Sequence, residues 1–155
     1  MRSAAIFVDV QNVYYTTKQI YHRHFNYSAF WQQISRERQI TAAFAYAIDK
    51  GDAKQQGFQN ILKTIGFEVK LKPYIQRSDG SAKGDWDVGI TLDVLDYAGH
   101  VDEIILVSGD GDFDLLLHKI KPTTATLVYG VPGLTAPSLI QAADRYIAID
   151  TALLI

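Results

Sequence analysis

The chain has 155 residues, 48% of them hydrophobic, and a formal net charge of −2, which suits a single domain over 1–155 with one continuous core. The absence of cysteine excludes disulfides, thiolate zinc sites and a cysteine nucleophile, and no apolar run is long enough to span a membrane, so a cytoplasmic protein with no membrane partner is expected. The small negative charge argues against a broad nucleic-acid-coating surface, yet it is compatible with a local basic patch beside an acidic centre.

Strand-like runs fall at 4–8, 40–48, 67–74, 103–107, 125–129 and 146–149, and helical spacing at 13–21, 28–35, 53–65, 87–98, 113–120 and 137–143. This alternation predicts an α/β fold of Rossmann-like type: a three-layer α/β/α sandwich around a mostly parallel sheet, joined by right-handed crossovers. Gly66, Gly99 and Pro122 stand where helices should stop. The polar stretch 76–84, with Asp79-Gly80 as a turn, reads as a mobile loop. In the helix that follows, Val88, Leu92 and Leu95 lie at offsets of four and three and form an apolar face. Tyr21, Phe25, Tyr27, Phe30 and Trp31 make an aromatic-rich stretch read as core packing.

Apolar runs that end in acids carry the chemistry. Ile6-Phe7-Val8-Asp9 and Ile104-Ile105-Leu106-Val107-Ser108-Gly109-Asp110-Gly111-Asp112 read as buried strands delivering carboxylates to the sheet edge, where open α/β sheets bind ligands. Acids gathered there repel one another unless a hard cation sits among them, which points to Mg²⁺ or Mn²⁺. Asp110 is the preferred ligand of its group, Asp112 a cap or supporting acid and Asp114 a solvated helix residue. Gly109 and Gly111 would let the backbone approach a ligand closely. Asn12 can cap the next helix or hydrogen-bond the Asp9 carboxylate. In the third acidic group, Asp85 suits an N-cap and Asp96 a solvent-facing charge, whereas Asp87 and Asp93 need a local reason to sit in a helix.

Four segments in order, Phe-Val-Asp-Val-Gln-Asn at 7–12, Lys-Gly-Asp-Trp-Asp-Val-Gly-Ile-Thr-Leu-Asp at 83–93, Val-Ser-Gly-Asp-Gly-Asp-Phe at 107–113 and Ser-Leu-Ile-Gln-Ala-Ala-Asp-Arg-Tyr at 138–146, resemble the motifs of the NYN domain family. More narrowly the chain is similar to its LabA-like branch, related to PIN-domain nucleases. The resemblance implies a PIN-like fold and a metal-dependent ribonuclease, hydrolysing RNA phosphodiester bonds at Asp9, Asp87 and Asp110, with Asn12, Asp93 and Asp112 in support. Because Asp85-Trp86-Asp87 is one residue longer than the usual Lys-Gly-hydrophobic-Asp, Asp85 is the alternative to Asp87. The resemblance also implies RNA as partner and pairing into a homodimer.

Lys70, Lys72, Tyr74, Arg77 and Lys83 follow one another along a strand and its loop, and Tyr14, Tyr15 and Lys18 follow the first acidic motif. Lys83, Arg77 and Tyr14 are the candidate substrate contacts, the cations for phosphates and the ring for stacking on a base. The four histidines lack metal-ligand spacing and read as surface or packing residues. Two competing functions remain. One is a regulatory or RNA-binding module that retains the acidic site without catalysis. The other, a haloacid-dehalogenase-type phosphatase, is disfavoured because Gln11 stands where that chemistry needs a second Asp.

Overall fold

The computed structural model describes residues 1–73, 75–76, 82–83 and 85–155, the side chains of 75–76 and 82–83 excepted. In chain order the elements are β1 (Arg2–Asp9), α1 (Val10–Tyr21), α2 (Tyr27–Ser35), β2 (Arg38–Asp49), α3 (Ala53–Ile65), β3 (Glu68–Pro73), the short β4 (Ile75–Gln76) and β5 (Ala82–Lys83), α4 (Asp87–Tyr97), β6 (Glu103–Val107), α5 (Asp114–Ile120), β7 (Ala125–Gly130), α6 (Pro137–Ala142) and β8 (Arg145–Ala148). The expected strands and helices are all present.

The six long strands form one sheet in the order β3-β2-β1-β6-β7-β8, with every pairing parallel. β1 is buried from Ala4 to Asp9, as an apolar central strand covered on both faces must be. Its alternate residues feed two cores. Ala4, Ile6 and Val8 meet Val13 of α1, Phe30 and Ile34 of α2 and Leu62 of α3, together with Phe25 and Tyr27 of the aromatic stretch. Ala5 and Phe7 meet Ile90 and Val94 of α4, Leu116 and Leu117 of α5 and Leu139 of α6. The fold is therefore an α/β/α sandwich. Successive connections run outward from β1 to β3 on one side and from β6 to β8 on the other, so the direction of winding reverses between β1 and β6. In open α/β sheets that reversal leaves a crevice at the carboxyl ends of the two strands.

Part of the stretch expected to be a loop is paired. Ile75 opposes Lys83 and Gln76 opposes Ala82 in an antiparallel ladder; the expected Asp79-Gly80 turn, and Arg77 with it, lie outside the described residues.

The apolar face expected of α4 is reversed. Val88, Leu92 and Leu95 are exposed, whereas Ile90 and Val94 are fully buried. At about 3.6 residues per turn, Asp87, Ile90, Val94 and Tyr97 share one side of the helix and Val88, Leu92 and Leu95 share the other. Both stripes are apolar, and contacts from Trp86 and Asp93 to the sheet select the one that faces inward. Ile90→Ala should therefore cost about 2–4 kcal/mol in a denaturant unfolding experiment, while Leu92→Ala should stay within about 0.5 kcal/mol of the unaltered protein.

Candidate metal centre

β1 ends in Asp9, which also caps α1 by accepting from the Asn12 backbone N–H at 3.4 Å. β6 is followed by Ser108, Gly109 and Asp110, and Asp110 caps the next turn by accepting from the Asp112 backbone N–H at 2.9 Å. Because β1 and β6 pair in parallel, with Val8 beside Val107, these two strand ends lie together. Asp87 reaches them from the first turn of α4. Asp9, Asp87 and Asp110 each offer a carboxylate oxygen, and the three oxygens lie within 4.8 Å of one another.

An open pocket of about 220 Å³ has these three acids in its wall, with Asp85, Gln11, Asn12, Tyr15 and Thr16. Gln11 and Tyr15, like Asn12 and Thr16, are spaced four apart on one face of α1. Four carboxylates thus line the pocket, and no lysine, arginine or histidine is among the described residues that do. An all-oxygen, acid-rich donor set of this kind suits a hard divalent cation such as Mg²⁺ or Mn²⁺.

Ser108, which was not singled out in the sequence, connects the cluster. It is buried; its hydroxyl donates to Asp9 Oδ2 at 3.1 Å and accepts from the Asp110 backbone N–H at 3.1 Å. A small hydroxyl directly before Gly-Asp was the available signal. The Asn12 side chain neither caps the helix nor binds the Asp9 carboxylate, as the sequence had allowed. Its Oδ1 accepts from the Gly109 N–H at 2.9 Å and so joins α1 to the end of β6. Gly109 and Gly111 do allow a close approach, but it is intramolecular. A Cβ on Gly109 would stand 2.5 Å from the Leu134 carbonyl oxygen, and one on Gly111 would stand 2.8 Å from the Ala136 Cβ.

Asp85 lines the pocket but does not belong to the group of three, and it does not cap α4: Trp86 holds the N-cap position, without a side-chain cap. Asp112 is exposed. Asp93 stands apart, its Oδ2 accepting from Tyr46 Oη at 2.8 Å and from Lys70 Nζ at 2.6 Å. Tyr14 turns away from the pocket, stacking on His24 with centroids 5.8 Å apart and accepting from Lys18 Nζ; its neighbour Tyr15 lines the pocket instead. The Lys83 backbone pairs in β5, but its side chain, like Arg77, lies outside the described residues.

Burial pushes the Asp9 carboxyl up to about 6, against the lowering effect of the Ser108 hydroxyl and the Asn12 N–H, while the charges of Asp110 and Asp85 raise it further. Asp87 is pushed up to about 7, first by desolvation, then by a hydrogen bond to Asp110 that only its protonated form can donate, and by the charges of Asp110, Asp85 and Asp9.

The NYN domain model matches residues 3–150. This chain belongs to the NYN domain family. Within that family it is LabA-like: the low amplitude and bright protein LabA of Synechococcus elongatus is 31% identical over an alignment that covers 94% of this chain and 83% of that protein. A crystal structure of a protein of unknown function from Vibrio parahaemolyticus superposes with a TM-score of 0.95 at 54% identity, covering 99% of this chain and 96% of that one. Ribokinase from Giardia lamblia, at a TM-score of 0.50 and 10% identity over 97% of this chain and 58% of that one, shares only the fold.

The raised acids set a pH dependence. A carboxyl whose folded-state pKa lies above its unfolded value of 3.8 holds its proton longer in the native state, so it lowers stability as pH rises from about 4 to about 7. In EDTA, Asp9→Asn should gain stability relative to the unaltered protein by about 3 kcal/mol between pH 4 and pH 8. Unfolding free energies measured across that range check it; a constant difference would mean that Asp9 titrates normally.

Proposed function

We propose that this NYN domain is a metal-dependent ribonuclease that hydrolyses RNA phosphodiester bonds, with Asp9, Asp87 and Asp110 as catalytic ligands of Mg²⁺ or Mn²⁺. The observation that carries the reading is the convergence of these three acids, from positions far apart in sequence, in a pocket with no cation in its described wall. A divalent cation there supplies positive charge to offset the phosphoryl oxygens and acidifies water.

The chain's own part is to hold the acids and the substrate. Ser108 and the Asn12 N–H fix Asp9, and the Asp112 N–H fixes Asp110, so the ligand oxygens need little reorganisation. Asp87 loses its proton when a cation binds, so affinity should rise with pH through about 7. Tyr15, half exposed at the pocket wall, offers a ring on which an unpaired base can stack. Lys83 and Arg77, on the segment before α4, are the proposed phosphate contacts. Among the described residues no helix is long and apolar enough to cross a membrane, and we place the protein in the cytoplasm, acting on RNA there.

Three measurements test the reading. Mn²⁺ at a hundredfold excess over its dissociation constant should stabilise the fold by about 2.7 kcal/mol, seen as a raised melting temperature against matched ionic strength. Single-turnover cleavage of an RNA panel should be metal-dependent and fall at least about a hundredfold in Asp110→Asn, a near-isosteric change that removes one repulsive charge. Lys83→Ala should weaken RNA affinity and reduce its salt dependence by one phosphate contact. Metal-induced stabilisation and RNA binding without cleavage would instead identify a regulatory RNA-binding module.

A further inference from the structure

α4 carries Asp87 in its first turn but begins without the side-chain cap that usually satisfies the exposed N–H groups of a helix start. Such an end frays unless something else holds it, and fraying would move Asp87 relative to two acids fixed on the sheet. What holds it here is Trp86. Its indole Nε1–H donates to the Ala47 carbonyl at 2.9 Å, near the end of β2. Its ring meets Tyr46 edge-on at 5.3 Å, and Lys72 Nζ stands 4.6 Å from the ring centroid while donating to the Asp85 carbonyl at 3.1 Å. The Trp86 carbonyl accepts the Ile90 N–H at 2.8 Å and so opens the helix itself.

Two further facts tie this clamp to the acids. Tyr46 is the β2 residue in register with Asp9 on β1, so the indole is docked against the neighbour of the acid that Asp87 must meet. Gly89 packs under the ring so closely that a Cβ there would stand 2.5 Å from a ring carbon; the absence of that atom lets the indole fold back over the first turn.

We infer that Trp86 is a positioning residue for the metal centre: clamped by Ala47, Tyr46, Lys72 and Gly89, its indole sets where the Asp87 carboxylate stands relative to Asp9 and Asp110. The inference rests on the reading that these three acids hold a divalent cation. Trp86 acts through Asp87 and is not itself a ligand.

Mn²⁺ affinity, followed by the electron paramagnetic resonance of free Mn²⁺, is measured for the full chain alongside its melting temperature. Trp86→Ala should weaken Mn²⁺ binding by about tenfold or more, the usual effect of removing a group that orients a ligand, and Trp86→Phe, which keeps a ring but loses the N–H, should fall between it and the unaltered protein. In an Asp87→Asn background, Trp86→Ala should weaken binding no further. Gly89→Ala perturbs the indole by a second route, its methyl displacing the ring while alanine's helix preference offsets part of the lost stability. It should weaken Mn²⁺ binding in protein shown to be folded by its melting transition, and in a Trp86→Ala background it should weaken binding no further. Should Trp86→Ala fail to fold, Gly89→Ala and Trp86→Phe decide alone. Unchanged affinity in these variants, or an equal loss with and without Asp87, overturns the inference and leaves the metal reading intact. An unaltered protein that binds no Mn²⁺ overturns the metal reading and this inference together.

Discussion

Parallel pairing of β1 with β6 brings two strand ends side by side, and both end in acids. With Val8 in register with Val107, Asp9 and the Ser108-Gly109-Asp110 turn have no room to separate, so their charges must be managed where they stand. The Ser108 hydroxyl does most of this. It donates to one acid and accepts from the backbone of the other, and Asn12 closes the arrangement from the helix side through the Gly109 N–H. These bonds favour the ionised form of Asp9, yet burial outweighs them and its carboxyl still titrates well above the ordinary range. The local structure therefore orients the acids without neutralising them, which is what a cation site requires.

The strand lysines show the same economy of charge. Lys70 is tied to Asp93, and its Nζ stands 4.7 Å from the Phe44 ring centroid; Lys72 is held by Trp86 and the Asp85 carbonyl. Alternating lysines on a strand resemble either a solvated face or a phosphate-binding patch, but here both are anchors that hold α4 to β2 and β3. Each one spent on the scaffold is a cation that does not reach the pocket, so the four carboxylates there stay unbalanced by protein charge among the described residues.

Elements were legible where periodicity and burial agree. The uninterrupted apolar runs before Asp9 and Asp110 could only be buried strands, and the order of strands and helices then placed both acids at one edge. The sequence was ambiguous where two patterns compete. α4 is apolar on both sides, and its inward side is decided by long-range partners, Ala47 for Trp86 and Lys70 with Tyr46 for Asp93, none of which is visible in a local window. The same limit hid Tyr15. Tyr14 and Tyr15 are adjacent in sequence, but about 100° of helical rotation puts one beside His24 and the other on the pocket wall. The motif groups Asp93 with the site, whereas its bonds to Tyr46 and Lys70 make it an anchor of the helix that carries Asp87. Helix phase brings Asp87 and not Asp85 into the group of three acids: Asp87 lies within the first turn on the side of Ile90 and Val94, while Asp85 precedes the helix.

The glycines around the site show why so small a domain can hold so charged a pocket. Gly109 admits the Leu134 carbonyl and Gly111 the Ala136 side chain, and the Ala136 N–H donates to the Gly109 carbonyl at 3.0 Å. The turn after β6 is thus braced from behind by the segment leading into α6. Gly89 does the equivalent for α4 by making room for Trp86. In each place a missing side chain lets backbone or indole supply the rigidity, and the carboxylates face forward. Repulsion among them then has no structural outlet: the acids cannot relax apart without breaking these contacts. Uptake of a proton relieves part of it, and Asp87, its carboxyl raised to about 7 by burial and by the hydrogen bond to Asp110, is the group placed to take one. Under the proposed reading a divalent cation would compete with that proton, so the state of this centre would depend on pH.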